Sequence, residues 1–386
     1  MKLAQRLQEQ KDIHWFTVGK LIRAKQAEGV RTISLASGNP DLPAPAAVVE
    51  ALKDAASEPT YLRYPFSFQT DLSQATATWY RDRFDVELDP STEVLLQAGS
   101  QQAIGNLGLA VMEPGAVALV PDPAYGSYSR SSRFAGGEVY RLRLQEENGY
   151  LPDLSTIPMD VLDRARLLWL NYPNNPTGAV APLSFFQEVV DWARQHDVLV
   201  CHDNAYSEVT FDGYVAPSFL AAEGSRDVGI ELNTLSKSYN MAGWRVGMAV
   251  GNPEVLAGLA EVSFNTSMGL FGPSQLAAIE ALTGDQSWTF EQSQIYHERR
   301  EIIVEGLRGI GLETSYPKGT LYIWAKLPDK YPDSLEFSKW VLDQTGVWLT
   351  SGIFFGQGGE GYVRASITLS TEELREGMER LSTLKL

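Results

Sequence analysis

The sequence contains very little cysteine and histidine. Among its 386 residues there are one cysteine, Cys201, and four histidines. A single cysteine excludes an internal disulfide framework, and the histidines do not have the spacing of a zinc site. Cys201 directly follows three apolar residues, which is typical of a small buried side chain. We therefore expect a fold that needs neither a disulfide nor a metal ion.

Basic residues and long apolar runs are also scarce. Lysine and arginine number 32 against 48 aspartate and glutamate residues, which gives a net charge of -16 and a pI near 4.8. A nucleic-acid partner requires many basic side chains to neutralise phosphates, so this balance excludes that class. No apolar stretch has the length of a signal peptide or a membrane span. We expect a cytoplasmic protein without a membrane partner.

Short apolar runs recur through the middle of the chain. With 44% hydrophobic and 21% charged residues, the composition is that of a globular protein of about two domains. Runs without polar alternation predict strands buried on both faces, and the intervals between them leave room for crossover helices. The five runs are 94–98, 116–120, 167–170, 198–202 and 229–235. They predict an α/β fold with a mostly parallel sheet flanked by helices.

The flanking segments predict further elements. Residues 31–36 and 246–250 are expected to be strands, and residues 312 onward alternate short strands with helices, which is typical of a smaller α+β domain. A breaker at 271–273 interrupts a mostly helical region. The predicted helices are 18–27, 46–56, 71–83 and 288–308, the last of which could join two domains.

A polar loop follows each of the five buried strands. The loops are 99–102, 122–125, 171–178, 203–206 and 236–238. In an open α/β sheet, ligands bind in the crevice outside the carboxyl ends of the strands. The five loops are therefore expected to converge on one ligand site.

The side chains in these loops suit a ring that carries an aldehyde, a basic nitrogen and an oxygen. Lys237 offers an amine for an imine, and Asp203 offers a carboxylate for a protonated ring nitrogen. Tyr125 could stack on a flat ring, while Asn175 and Tyr206 could bind its oxygen. These groups indicate a heteroaromatic aldehyde as the ligand.

Two further features suit a phosphate. Gly99 precedes a helix that is expected to begin near Ser100, so backbone amides are free at a helix N-terminus. Arg245 supplies a guanidinium fork able to hold a phosphate through two hydrogen bonds. Aldehyde, pyridine nitrogen, ring hydroxyl and phosphate together describe pyridoxal phosphate.

Each residue taken alone also has a purely structural interpretation. Asp203 could cap a helix, Asn175 could serve the turn before Pro176, Tyr125 could belong to the core, and Arg245 could pair with a surface carboxylate. The order and placement of the loops favour the functional interpretation.

Three motifs in this order resemble those of a known family. They are residues 174–178 (NNPTG), the pair Asp203 and Tyr206, and Lys237 followed eight positions later by Arg245. The chain resembles, over essentially its whole length, the class I/II aminotransferases of the fold-type I pyridoxal-phosphate enzymes. The resemblance implies an aspartate-aminotransferase-like fold, with a large domain and a smaller α+β domain built from both termini. The implied segments are an N-terminal arm (1–40), the cofactor-binding domain (41–285) and the C-terminal domain (286–386).

The resemblance also implies a role for each site residue. Lys237 would form the Schiff base, Asp203 would pair with the pyridinium nitrogen, and Tyr206 completes the implied catalytic set. The residues implied to bind the cofactor are Ser100, Gln101, Tyr125, Asn175, Asp203, Tyr206, Thr234, Ser236, Lys237, Arg245 and, across a dimer interface, Tyr64. The residues implied to bind substrate are Gly38, Asn175 and Arg364, whose fork suits an α-carboxylate.

Some positions depart from the family pattern. Phe68 and Ser73 stand near positions where relatives commonly have a glycine and an arginine. This difference makes the contact of Tyr64 with a partner subunit a weaker expectation than the role of Lys237. Gln101 stands where many relatives have a lysine, so amides and hydroxyls must bind more of the phosphate. For Arg364 the structural alternative is a salt bridge at a domain surface.

The expected activity is transfer of an amino group from an amino acid to a 2-oxo acid such as 2-oxoglutarate. Segments 34–43, 171–175, 202–208 and 240–245 are most similar to the LL-diaminopimelate aminotransferase-like branch, so LL-diaminopimelate or another amino acid is the donor. Segments 13–16 and 265–271 are expected to select the donor side chain. The resemblance implies a homodimer with shared active sites. Two alternatives stay open, a carbon–sulfur β-lyase and a non-catalytic regulatory module that binds the cofactor.

Overall fold

A computed structural model describes residues 4–8, 14–64, 69–384 and 386. Its α-helices are α1 (Gln5–Gln8), α2 (His14–Ala27), α3 (Ala46–Ser57), α4 (Gln69–Phe84), α5 (Ser100–Val111), α6 (Ser127–Phe134), α7 (Met159–Leu162), α8 (Leu183–His196), α9 (Ser225–Val228), α10 (Leu235–Ser238), α11 (Pro253–Thr266), α12 (Gly272–Thr283), α13 (Ser287–Gly309), α14 (Ser334–Thr345) and α15 (Thr371–Leu381). Its strands are β1 (Ile33–Ser34), β2 (Val94–Gln97), β3 (Val117–Asp122), β4 (Glu138–Arg143), β5 (Ala165–Leu170), β6 (Leu199–Asp203), β7 (Gly229–Thr234), β8 (Gly247–Gly251), β9 (Glu313–Thr314), β10 (Tyr322–Lys326), β11 (Val347–Trp348), β12 (Thr350–Ser351) and β13 (Tyr362–Ser366).

A seven-stranded sheet forms the centre of the large domain, in the order β2-β8-β7-β6-β5-β3-β4. Neighbouring strands are parallel except where β8 pairs with β2 and β7. The five predicted runs correspond to β2, β3, β5, β6 and β7, which confirms the mostly parallel sheet. The edge strand β4 was not predicted, because Glu138, Arg141 and Arg143 are exposed and interrupt its apolar pattern.

Helices cover both faces of this sheet. Successive residues of one strand belong to different cores: Leu168 packs in the cluster that includes α4, α8 and α12, and Trp169 packs in the cluster that includes α5, α6 and α11. This arrangement explains why the strands lack polar alternation. Cys201 is fully buried in the second cluster, as its apolar neighbours predict.

The smaller domain combines both ends of the chain. A four-stranded antiparallel sheet has the order β12-β13-β10-β9, and β1 pairs in parallel with β11, with Ile33 opposite Val347. Ile33 and Leu35 share a core with residues of α13, β10 and β13. The expected α/β fold with a small domain from both termini is thus confirmed, while the domain boundaries at 40 and 285 stay a prediction. In the described parts of the chain, no helix has both the length and the apolar character to cross a membrane.

Candidate functional site

The predicted loops converge on one cavity of about 470 Å³ at the carboxyl ends of the parallel strands. The small domain closes it from the other side with Gly38, Tyr322, Phe355 and Arg364. The sequence-predicted residues that line it are Gly38, Ser100, Gln101, Tyr125, Asn175, Asp203, Tyr206, Thr234, Ser236, Lys237, Arg245 and Arg364.

Tyr64 is the predicted site residue that does not line the cavity. Its side chain lies at the surface, with 67% of its area exposed. Two other positions raised by the sequence, Ile13 and Phe68, lie outside the described residues. The single chain therefore brings together every predicted site residue except the one expected to act on a partner subunit.

Lys237 lies on the four-residue helix α10, directly after β7, where a turn was expected. The helix forms because the Thr234 hydroxyl caps it by accepting a hydrogen bond from the Ser236 amide. The Lys237 Nζ donates to the Gly38 carbonyl at 2.5 Å. Burial of the amine lowers the pKa of Lys237 below its usual value, with Arg245 and Arg364 acting in the same direction.

Gly38 has a steric reason to be glycine. A Cβ at this position would lie 1.8 Å from the Tyr322 hydroxyl oxygen, so no larger residue fits without displacing the tyrosine. Tyr322 OH in turn lies 3.2 Å from Tyr206 OH. Although burial would raise the pKa of Tyr322, the neighbouring Arg364 and Lys237 lower it below its usual value.

Asp203 ends β6 with its two carboxylate oxygens in different situations. Oδ2 accepts a hydrogen bond of 2.7 Å from Tyr128 OH, whereas Oδ1 is buried and has no hydrogen-bond partner among the described residues. Burial raises the pKa of Asp203 to about 6, an effect that the Tyr128 bond and His202 oppose. A buried carboxylate oxygen without a partner suits a cationic N–H donor. Asp203 does not cap a helix.

Two residues that sequence reasoning missed hold Asp203 in place. Tyr128 is buried and stacks on Trp169 with ring centres 4.9 Å apart. Asn171 donates from Nδ2 to the Asp203 carbonyl at 2.6 Å. The Tyr128 ring lies 5.8 Å from that of Tyr125, but Tyr125 precedes the helix that carries Tyr128, so no helical spacing in the sequence indicates this contact.

Helix α5 begins at Ser100 as predicted, and its first two residues, Ser100 and Gln101, line the cavity. Gly99 precedes it with φ 77°, and a Cβ there would lie 2.4 Å from Arg245 Nη2. Arg245 donates to the carbonyls of Ala98 at 3.1 Å and Ala242 at 2.7 Å. Because its described hydrogen-bond partners are neutral carbonyls, its charge stays available to an anion at the helix N-terminus.

Gln101 binds the tyrosine expected to stack on the cofactor. Its Oε1 accepts from Tyr125 OH at 2.8 Å and from Ser127 Oγ at 3.1 Å. Tyr125 is half-buried and lines the cavity, so it does not belong wholly to the core. Gln101 thus fixes the orientation of the Tyr125 ring and adds no positive charge to the cavity.

Arg364 is a buried cation with neutral hydrogen-bond partners. It is 3% exposed, and it donates from Nη1 to Asn175 Oδ1 and from Nη2 to the Ala36 carbonyl, both at 2.7 Å. Its guanidinium carbon lies 3.9 Å from the Tyr322 ring centre and 4.6 Å from that of Phe355. A surface salt bridge does not describe this side chain. A buried guanidinium of this kind suits a carboxylate ligand.

The turn after β5 depends on Asn174 more than on Asn175. Asn174 Oδ1 accepts from the amide of Thr177 at 3.1 Å and from its hydroxyl at 2.7 Å. The Asn175 side chain is therefore left to contact Arg364. Among the described residues, no group of three or more histidine, cysteine, aspartate or glutamate side chains could hold a metal ion.

Comparisons with known sequences agree with this geometry. The family model for class I and II aminotransferases matches residues 30–381. An LL-diaminopimelate aminotransferase of Dehalococcoides mccartyi is 46% identical over 389 residues, covering 100% of this chain and 99% of that protein. The enzyme of the same name from Aquifex aeolicus is 44% identical, covering 96% of this chain and 97% of that protein.

Solved structures agree as well. Substrate-bound BacF from Bacillus subtilis has a TM-score of 0.95 and 38% identity, and the match covers 100% of this chain and 98% of that one. A probable N-succinyldiaminopimelate aminotransferase from Thermus thermophilus has a TM-score of 0.90 and 37% identity, covering 96% of this chain and 99% of that one. These similarities extend over both domains.

Proposed function

Since the chain belongs to the class I and II aminotransferase family and is thus a pyridoxal-phosphate-dependent transaminase, we propose that LL-diaminopimelate is its amino donor and 2-oxoglutarate its acceptor. The observation that carries the choice of donor is that relatives named LL-diaminopimelate aminotransferases are 42% to 48% identical over nearly the whole chain. A cytoplasmic location is part of this proposal.

The residues of the cavity fit pyridoxal phosphate. The unpartnered Asp203 Oδ1 suits the protonated pyridine nitrogen, and the Tyr125 ring suits its face. Asn175 and Tyr206 would bind the ring hydroxyl oxygen. The groups that would hold the phosphate are the first amides of α5 at Ser100 and Gln101, the hydroxyls of Thr234 and Ser236, which lie 2.8 Å apart, and Arg245. When bound, the cofactor supplies an electron-accepting ring that stabilises negative charge at the substrate α-carbon.

Two residues would act directly on the substrate. Arg364 would hold the α-carboxylate through its guanidinium fork and thereby fix the position of the substrate in the cavity. Lys237 would carry a proton on its Nζ between the substrate α-carbon and C4′, the aldehyde carbon of the cofactor, because a lowered pKa leaves more of the amine neutral and able to accept a proton. Asp203, held by Tyr128, would keep a positive charge on the ring nitrogen during this transfer.

A second copy of the chain is expected to complete the site. Two segments carry exposed apolar side chains, here called the apolar patch, which are Leu62, Tyr64, Phe264, Met268 and Phe271. The segments lie in contact, because a Cβ at Gly272 would be 2.2 Å from the Tyr61 carbonyl oxygen. An exposed apolar patch of this kind is typical of an interface, and it includes the residue expected to reach the partner's phosphate. Light scattering of the purified protein should give twice the monomer mass, and a monomer at assay concentration would contradict shared sites.

The donor is tested by a screen of amino acids against 2-oxoglutarate. LL-diaminopimelate should bleach the visible absorbance of the bound cofactor and yield glutamate faster than any other amino acid. Fast turnover of a different amino acid would overturn the donor, and no spectral response to any amino acid would overturn the activity. Pyruvate and ammonia formed without a 2-oxo acid would instead indicate the β-lyase, which the aminotransferase names of the relatives disfavour.

A further inference from the structure

Segment 35–38, which carries Gly38, is held by hydrogen bonds that its four consecutive backbone carbonyls accept. The donors are the Ser366 amide to Leu35 at 2.9 Å, Arg364 Nη2 to Ala36 at 2.7 Å, Thr368 Oγ1 to Ser37 at 2.8 Å and Lys237 Nζ to Gly38 at 2.5 Å. The first three donors belong to the small domain, and the fourth is the amine of the large domain. Segment 35–38 therefore contacts both Arg364, the proposed binding group for the substrate carboxylate, and Lys237.

Just beyond this segment, Asp41 is held by an ion pair. Arg299 on α13 donates to Asp41 through two parallel hydrogen bonds, Nη1 to Oδ1 at 2.7 Å and Nη2 to Oδ2 at 2.9 Å. The Arg299 side chain is 4% exposed and that of Asp41 is 27% exposed. Arg299 also donates to the Ile367 carbonyl at 3.4 Å, next to the residue that holds Ser37. Paired guanidinium and carboxylate groups in this geometry are rigid, and a buried arginine depends on its partner.

We propose that Asp41 and Arg299 are positioning residues of the active site, which hold segment 35–41 so that Gly38 and Arg364 keep their places for the substrate carboxylate. Neither residue lines the cavity, so they act through the backbone between them and Gly38. Only Asn39 and Pro40 lie between Gly38 and Asp41, so the two residues are at most about 11 Å apart and a shift of Asp41 can reach Gly38 through the main chain. This inference deepens the proposed function and relies on it for its kinetic measurement.

The neighbouring residue on the same helix provides a matched control. Arg300 pairs with Asp212 through Nη1 to Oδ2 at 2.6 Å and Nη2 to Oδ1 at 3.0 Å, and its side chain is 3% exposed. Asp212 does not line the active-site cavity. The two pairs have nearly the same geometry, and Arg300 has a second carboxylate partner, Glu301, at 2.8 Å, while Asp212 also contacts His297 at 3.2 Å. Of the two carboxylates, only Asp41 is connected to segment 35–38.

The test compares Asp41→Asn with Asp212→Asn in the full-length holoenzyme. For Asp41→Asn we expect the KM of both the amino acid and the 2-oxo acid to rise roughly tenfold, with kcat changed about threefold or less, since a charge-assisted contact is lost away from the reacting atoms. Amide hydrogen exchange in segment 35–41 should rise about tenfold. Asp212→Asn should leave both KM values and that exchange rate within about twofold of wild type, even if its Tm falls.

The results distinguish failure of the positioning role from failure of the proposed function. Unchanged KM values and unchanged exchange in Asp41→Asn would overturn the inference, as would equal effects of the two variants. The exchange measurement needs no turnover, so it tests the ion pair even if the proposed donor is wrong. Arg299→Lys keeps the buried charge but loses the paired geometry, and it should reproduce the rise in KM if Asp41→Asn does not fold. Cofactor affinity of the apoprotein should stay within about twofold in all three variants, because none of these residues lines the cofactor cavity.

Discussion

Replacement of Lys237 by alanine should lower kcat by roughly 10⁴-fold, the upper range for losing a positioned acid–base group. Lys237 is the lysine whose amine meets the cavity, and burial lowers its pKa toward the range in which it can exchange protons. The other groups proposed to hold the cofactor are untouched, so the variant should still bind it. Stopped-flow absorbance and glutamate formation measure the loss, and equilibrium dialysis measures cofactor binding.

Lys237→Arg is the matched control for charge. Arginine keeps the positive charge and can still donate to the Gly38 carbonyl, but it stays protonated and cannot accept the substrate proton. We expect it to be as inactive as the alanine variant. Near wild-type turnover of the alanine variant would contradict any catalytic role of Lys237. Turnover of the arginine variant alone would contradict proton transfer by Lys237 and would mean that only its positive charge is needed.

Asp203→Asn should reduce kcat/KM by roughly 10²–10⁴-fold, because breaking a buried ion pair costs about 3–5 kcal/mol. Asparagine has nearly the same shape, and its amide oxygen can still accept the hydrogen bond from Tyr128. What it cannot supply is the negative charge for a protonated ring nitrogen. The bound cofactor should therefore change its absorbance spectrum, and turnover with the best donor of the screen gives the kinetic loss.

Tyr128→Phe separates the charge of Asp203 from its placement. This variant removes the hydrogen bond to Oδ2 but keeps the carboxylate and the stacking on Trp169. Its loss in kcat/KM should be smaller, roughly tenfold, as for one hydrogen bond to a charged group. If Asp203→Asn were as active as wild type, or less impaired than Tyr128→Phe, the pairing with the ring nitrogen would be wrong.

The large domain was the more predictable half of the fold. Apolar runs identify β3, β5, β6 and β7 because strands covered by helices on both faces must be apolar throughout. The same rule explains the missed strand, since β4 lies at the sheet edge and carries exposed charges such as Arg141. Parallel order then brings the loops after these strands to one edge, which is why the amino-acid sequence is sufficient to group their residues into one site.

The small domain shows where local patterns stop being informative. Arg364 could be assigned through its resemblance to a family motif, but its contact with the Ala36 carbonyl joins residues 328 positions apart. Tyr322 carries no pattern that indicates a site, although its hydroxyl occupies the space beside Gly38. Such contacts depend on how β1 and β13 are brought together, and side-chain periodicity contains no information about that distance.

By itself, the sequence determined that buried strands alternate with helices, because this pattern depends on neighbours along the chain. It also determined which edge of the sheet would bind a ligand and which side chains near Lys237 could bind the cofactor, because those side chains directly follow the strands. Only the tertiary structure decided which oxygen of Asp203 lacks a partner, that Tyr128 occupies the other, and that Asp41 is bound to Arg299. These features depend on the packing of two domains around one cavity, where burial and distance set the pKa and the pairing of each group.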